Sequence, residues 1–222
     1  MSTALYVVAA LLVAAFLLRW RGPWLLRALF HPRVERERIS FLAAYPIGPD
    51  DVVLLGDSIT AGGEWEEIAP GARIRNRGIG GDRTDNLLTR LEHIVKGRPR
   101  KLFVQIGIND LGTGVASDRI LQNLESIVDR VRDATPETRV HLHELFPTKA
   151  RRAKRIRALN AEIGRLAETR SLPIVRVFDH FADDRGAIRA ELTYDNLHLT
   201  GAGYREWYAL LEPHLRQERG EP

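Results

Sequence analysis

From about residue 45 onward, short apolar runs alternate with stretches whose apolar residues recur at helical spacing, and nothing else in the chain constrains its fold as much. Val52-Val53-Leu54-Leu55 and Leu102-Phe103-Val104-Gln105-Ile106 are nearly continuous apolar runs, as expected of strands buried on both faces. Residues 72–77 alternate more weakly, as an edge strand does; residues 140–146 and 174–178 complete five strands. Between them, Leu87, Leu88, Leu91, Ile94 and Val95 share one helical face, as do Ile120, Leu121, Leu124, Ile127, Val128 and Val131, and then Ile156, Leu159, Ile163 and Leu166. A last helix is expected over residues 200–215, with Thr200 as its N-cap. Strands separated by helices, without runs of hairpins, require a parallel sheet covered on both faces. The expected fold is therefore α/β, a flavodoxin-like three-layer α/β/α sandwich with a five-stranded parallel sheet.

The first 45 residues obey a different pattern. Residues 1–18 carry no charged side chain, and 4–18 are almost wholly apolar. As a helix, 18 residues span about 27 Å, near the minimum for a bilayer core. Arg19, Trp20, Arg21 and Trp24 follow, residue types that settle at the headgroup level. No basic residue precedes the apolar run, which argues against a cleaved signal peptide. A core helix at a chain terminus would not be apolar on every face. The chain is accordingly divided into a transmembrane anchor at 1–21, a juxtamembrane amphipathic segment and linker at 22–45, a folded domain at 46–217 and a tail at 218–222. The positive flank lies after the apolar run, so the positive-inside rule puts the folded domain in the cytosol. The opposite orientation makes it periplasmic or extracytoplasmic.

Charge supports that division. The chain has 33 Lys and Arg against 29 Asp and Glu, a net charge of +4. Residues 1–38 hold six Arg and two Glu, so the remaining residues contain 27 of each sign. The excess belongs to the membrane-proximal segment, and a nucleic-acid binder is not expected from a neutral folded part. The absence of Cys excludes disulfides, thiolate metal sites and a cysteine nucleophile. With 44% hydrophobic and 28% charged residues, the chain is too apolar to be disordered throughout.

In sheets of this kind the working site lies beyond the carboxyl ends of the strands. Four segments stand there or before the last helix: Gly56-Asp57-Ser58-Ile59-Thr60, Asn76-Arg77-Gly78-Ile79-Gly80-Gly81-Asp82, Gly107-Ile108-Asn109-Asp110 and Asp195-Asn196-Leu197-His198. A serine hydroxyl needs a base within hydrogen-bond reach to act as a nucleophile. His198 can take the Ser58 proton and return it to a leaving group, and Asp195 can hold the imidazole tautomer. Gly78 offers a backbone N–H without a side chain in the way, Asn109 a side-chain amide and Ser58 its own N–H, the donor types an oxyanion requires.

These four segments, in this order, resemble the blocks of the SGNH hydrolases, also called the GDSL esterase/lipase family. The small bacterial and platelet-activating-factor-acetylhydrolase-like members are the most similar in feel. The resemblance spans about residues 50–215. It implies a catalytic set of Ser58, Asp195 and His198, and an oxyanion hole of Ser58, Gly78 and Asn109. It further implies hydrolysis of carboxylic (acyl or acetyl) esters with no metal and no organic cofactor. The substrate would be a lipid, thioester or glycan ester. The alternative is a non-catalytic module that holds a glycan or lipid on the same fold. The expected partners are the ester substrate and, through the N-terminal helix, the membrane; the oligomeric state is open.

Other signals are weaker. Gly78-Ile79-Gly80-Gly81 lacks the third glycine of a dinucleotide loop, and Asp82 would repel a pyrophosphate. His141 and His143 share a strand face but have no third metal ligand in the sequence, and read as core or surface histidines. His31, His93, His180 and His214 have no evident partner. Lys149, Arg151, Arg152, Lys154, Arg155 and Arg157 open the third helix as either a solvated face or a contact for anionic headgroups.

Overall fold

The structure, a computed structural model, describes residues 33–216. The expected anchor at 1–21, the first part of the juxtamembrane segment and the tail at 218–222 lie outside the described residues. Among the described residues no helix is long and apolar enough to cross a membrane.

Five parallel strands form one sheet: β1 (Val52–Gly56), β2 (Ile74–Gly78), β3 (Lys101–Gln105), β4 (Arg139–His143) and β5 (Ile174–Val175), in the order β2-β1-β3-β4-β5. β1 and β3 are buried at every position, as their unbroken apolar runs require, whereas the edge strand β2 exposes Arg75. Register aligns the strand ends: Gly56 faces Gly78 on one side and Gln105 on the other. The segments that follow β1, β2 and β3 therefore emerge side by side.

The helices are α1 (33–44), α2 (Ser58–Ala61), α3 (Trp65–Ile68), α4 (Thr84–Arg90), α5 (Glu92–Val95), α6 (Ile108–Gly112), α7 (Ser117–Ala134), α8 (Ala153–Thr169), α9 (Phe178–Phe181) and α10 (Gly201–Arg216). α4, α7 and α8 pack as one layer. α10 covers the other face, where Trp207 donates to His143 and the His214 ring meets His141 edge-on. Thr200 caps α10, its hydroxyl accepting from the Gly203 N–H at 3.2 Å.

The last two strands are shorter than their apolar runs. After His143, both backbone groups of Leu145 pair with the buried amide of Asn160 on α8, at 2.8 and 2.9 Å, and leave the ladder. The Glu144 carboxylate accepts from the N–H groups of Val177 and Phe178, each at 3.0 Å. It thereby ends β5 and starts α9. A third difference is α1: the charged stretch reads as linker, yet it is helical and seats Leu42 against the domain.

Candidate active site

β1 delivers Ser58 at the first position of α2. The buried Asp57 carboxylate accepts from the Ile59 N–H at 2.9 Å and holds the turn. As the first helical residue, Ser58 has no intrahelical acceptor for its own N–H. β3 delivers Asn109 through Gly107, whose φ of 128° is open to glycine alone at low cost. His198 and Asp195 come from the turn before α10, where Asn196 takes a left-handed φ of 67°, a conformation asparagine tolerates. One bond fixes this turn and another ties α10 to α2. The Thr193 hydroxyl donates to the His198 carbonyl at 2.7 Å, and the Tyr204 hydroxyl of α10 donates to the Ile59 carbonyl of α2, also at 2.7 Å.

These placements bring three of the expected residues into one hydrogen-bonded chain. Ser58 Oγ lies 2.9 Å from His198 Nε2, and His198 Nδ1 lies 2.6 Å from Asp195 Oδ2. A carboxylate at Nδ1 keeps the ring proton there, so Nε2 is left to accept from the serine. The other Asp195 oxygen accepts from the N–H groups of Leu197 and His198 at 2.9 and 2.7 Å. Burial pushes the Asp195 carboxyl up, but the bonds from His198 and the backbone outweigh it and hold it below its ordinary value. Both side chains keep some exposure, so water reaches the base. The arrangement can pass a proton from a serine nucleophile to an imidazole and stabilise the imidazolium.

The donors expected for an oxyanion are placed less uniformly. Asn109 gives one amide hydrogen to the Asp82 carbonyl at 2.9 Å, which orients the group and leaves its second hydrogen for a ligand. Gly78 corrects the sequence expectation. Its N–H is donated to Asn76 Oδ1 at 2.9 Å, and a Cβ there would lie 2.3 Å from the Ala61 nitrogen. Gly78 is thus a close-packing residue between β2 and α2. Gly80 lies beside the nucleophile: a Cβ there would lie 3.9 Å from the Ser58 Cβ.

Several residues support the site without touching its reacting groups. Asn76 spans the gap between β2 and α2, donating to the carbonyls of Ala61 and Gly63 while accepting from Gly78. Behind Ser58 stand three buried carboxyls, Asp57, Asp82 and Asp110. Arg90 pairs with Asp82 at 2.8 Å and also bonds the Gly56 carbonyl. Asp110 accepts from the hydroxyl and N–H of Thr84. Burial, with the nearby charges of Asp82 and Asp110, pushes Asp57 up to about 7.

The histidines resolve individually. His143 accepts from the Trp207 indole at 2.7 Å, and its Nδ1 lies 2.5 Å from the Glu144 carbonyl, so both ring nitrogens are engaged in the core. His141 stacks on Phe103 with ring centroids 4.3 Å apart. Desolvation lowers them to about 4 and about 3, respectively. His180 and His214 do have partners: Glu206 at 2.6 Å and the His141 ring.

Comparison with known proteins identifies the family. The model of the GDSL-like Lipase/Acylhydrolase family matches residues 54–206. Platelet-activating factor acetylhydrolase IB subunit alpha1 of Pongo abelii is 29% identical over 188 residues, covering 77% of this chain and 79% of its own. The alpha2 subunit of Rattus norvegicus is 28% identical over 166 residues, covering 69% and 71%. Among solved structures, a Streptococcus pneumonia protein named after platelet activating factor superposes with a TM-score of 0.74 at 28% identity, covering 90% of this chain and 99% of that one. The acetyl xylan esterase AlAXEase shares the fold, with a TM-score of 0.62 at 20% identity over 74% of this chain and 98% of its own. A family match over most of the described domain, on a sheet that gathers a serine, a histidine and an aspartate at one end, makes this chain a member of the GDSL-like lipase/acylhydrolase family and a hydrolase of ester bonds.

Proposed function

We propose that this chain is a membrane-anchored serine esterase that cleaves carboxylic esters by acyl transfer through Ser58. The observation that carries this is the continuous chain from Ser58 Oγ through His198 to Asp195, with links of 2.9 and 2.6 Å. In the first step Ser58 Oγ attacks the ester carbonyl while His198 Nε2 takes its proton. The tetrahedral oxyanion is met by the Ser58 N–H, the second Asn109 amide hydrogen and the backbone of the Gly80–Gly81 turn. His198 then protonates the departing alcohol. A water activated by the same nitrogen hydrolyses the acyl-enzyme and regenerates Ser58. Asp195 stays ionised throughout and holds the imidazolium in place.

For substrate we favour a lipid-like acyl or acetyl ester, as a lysophospholipase or thioesterase would take, over a carbohydrate O-acetyl ester. The apolar segment at 4–18 supports this, and so do the relatives named as platelet-activating factor acetylhydrolase subunits. The positive flank after that segment supports a catalytic domain on the cytosolic side. A reporter fused to the C-terminus reads the orientation directly, and an extracytoplasmic signal would reverse it.

The activity is tested on the full chain in detergent with p-nitrophenyl esters from acetate to decanoate. Turnover rising with chain length supports a lipid ester; an optimum at acetate supports deacetylation. A fluorophosphonate probe separates the enzyme from a binding module on the same fold. Labelling of Ser58 is expected, and a folded chain that fails to label would favour the binding module.

A further inference from the structure

The basic stretch after β4 has a definite place in the fold. β4 ends at His143, so the residues that follow leave the sheet at the end that carries Ser58. Lys149, Arg151, Arg152, Lys154, Arg155 and Arg157 stand there, all exposed. Two of them are committed. Arg155 donates to the carbonyls of Leu111 and Val115, which ties α8 to the helix that holds Asn109. Arg157 pairs with Asp179 and lies over the Phe178 ring. The side chains of Lys149, Arg151, Arg152 and Lys154 have no hydrogen bond or ion pair with any described residue. The adjoining turn carries Asp183, occupied by the N–H groups of Arg185 and Ala187, along with Asp184 and Arg185.

Two further features occupy the same end of the sheet. Arg38 reaches the Asn76 carbonyl, and Glu35, one turn earlier, lies within electrostatic reach of Arg90, which bonds Gly56 at the end of β1. Val34, near the start of α1, is 45% exposed. Beside the triad, Tyr194 is 72% exposed, its ring stacked on His198 with centroids 5.9 Å apart.

We propose that the active-site end of the domain docks on an anionic phospholipid bilayer, with Lys149, Arg151, Arg152 and Lys154 as its electrostatic contact and Tyr194 at the headgroup level. Uncommitted, exposed cations close together in the sequence complement a negatively charged leaflet, and an exposed tyrosine suits its interface. The consequence for substrate, which rests on the esterase reading, is that the ester enters from the membrane plane with its carbonyl presented to Ser58. Docking itself does not depend on that chemistry.

The full chain is reconstituted into vesicles of phosphatidylcholine, alone or mixed with phosphatidylglycerol. Hydrolysis of a long-chain p-nitrophenyl ester dissolved in the bilayer is followed beside that of soluble p-nitrophenyl acetate. Anionic lipid should accelerate the bilayer ester only. Changing all four cations to Glu (K149E, R151E, R152E, K154E) should abolish that acceleration at an unchanged acetate rate. Equal turnover of the bilayer ester by variant and wild type on anionic vesicles would overturn the proposal. Since the chain has no Cys, a second reading uses single cysteines bearing an environment-sensitive fluorophore. A label at Ala150→Cys should be quenched by brominated lipid, and one at Pro136→Cys, at the far end of β4, should not; equal quenching overturns the docking. A wild-type chain that hydrolyses neither ester sinks the esterase reading instead, and the labels still decide the docking.

Discussion

Ser58, Asn109, Asp195 and His198 are legible in the sequence because each stands at a strand end or in the turn before the last helix, where side chains of one sheet must converge. Gly78 is not legible in the same way. Spacing says that a glycine turn follows β2, but not which glycine lies beside the serine, and three lie within four residues. Asn76 is hidden for a related reason: it acts through side-chain bonds to backbone that no spacing records. The two glycines can be told apart by substitution. Gly78→Ala drives a methyl to within 2.3 Å of the Ala61 nitrogen and 2.8 Å of the Asp57 carbonyl, so backbone must move. Its thermal midpoint should fall, with activity lost in proportion to folded protein. Gly80→Ala has room for its methyl but places it beside Ser58. That variant should melt like the wild type and turn over more slowly. Asn109→Ala should cut kcat by about 10²–10³-fold with little change in melting, the range for removing one oxyanion donor. A kcat within a factor of two of wild type would remove Asn109 from that role.

At the scale of elements, period and burial predict the three-layer sandwich and the order of its strands along the chain. They overextend β4 and β5, because an apolar run does not reveal that a buried polar side chain intercepts the backbone. Asn160 does this to Leu145, and Glu144 does it to Val177 and Phe178. α1 is concealed by its alternating Arg and Glu, and few of its residues are buried. Glu144 gives this scale its prediction. Glu144→Ala leaves two buried N–H groups unpaired at the start of α9, which should cost about 2–4 kcal/mol in urea unfolding. Its kcat should not change, since α9 touches none of the reacting groups. A variant as stable as the wild type would mean that water or rearranged backbone replaces the carboxylate.

For the whole molecule, the net charge of +4 describes a neutral domain behind a basic segment, and the structure adds where the neutral domain keeps its unpaired cations. Whole-molecule stability should also follow pH through the buried groups. His141, lowered from 6.5 to about 3, stays neutral when folded and takes up a proton on unfolding below its unfolded value. Its contribution is full above pH 6.5 and is lost as pH falls toward 3. His143, lowered to about 4, acts in the same direction. Asp57, raised from 3.8 to about 7, acts in the opposite one: unfolding releases its proton, so stability from this group declines as pH rises toward 7. Asp110, also raised by burial, acts with Asp57, and His214, also lowered by burial, acts with the other histidines; the histidines still outnumber the raised carboxyls, and stability should increase from pH 4 to pH 6.5. His141→Phe, which keeps the stack on Phe103, should reduce that slope by about 1.4 kcal/mol per pH unit. An unchanged slope in urea midpoints across this window would show that His141 is not buried as a neutral ring.

All of the proposed chemistry passes through one hydroxyl. The most direct measurement is therefore the steady-state turnover of p-nitrophenyl acetate by the full chain and by Ser58→Ala, each verified as folded. A loss of about 10⁴-fold or more is predicted, because removing the nucleophile leaves only binding and the oxyanion donors. Turnover by Ser58→Ala at the wild-type rate would contradict acyl transfer through Ser58.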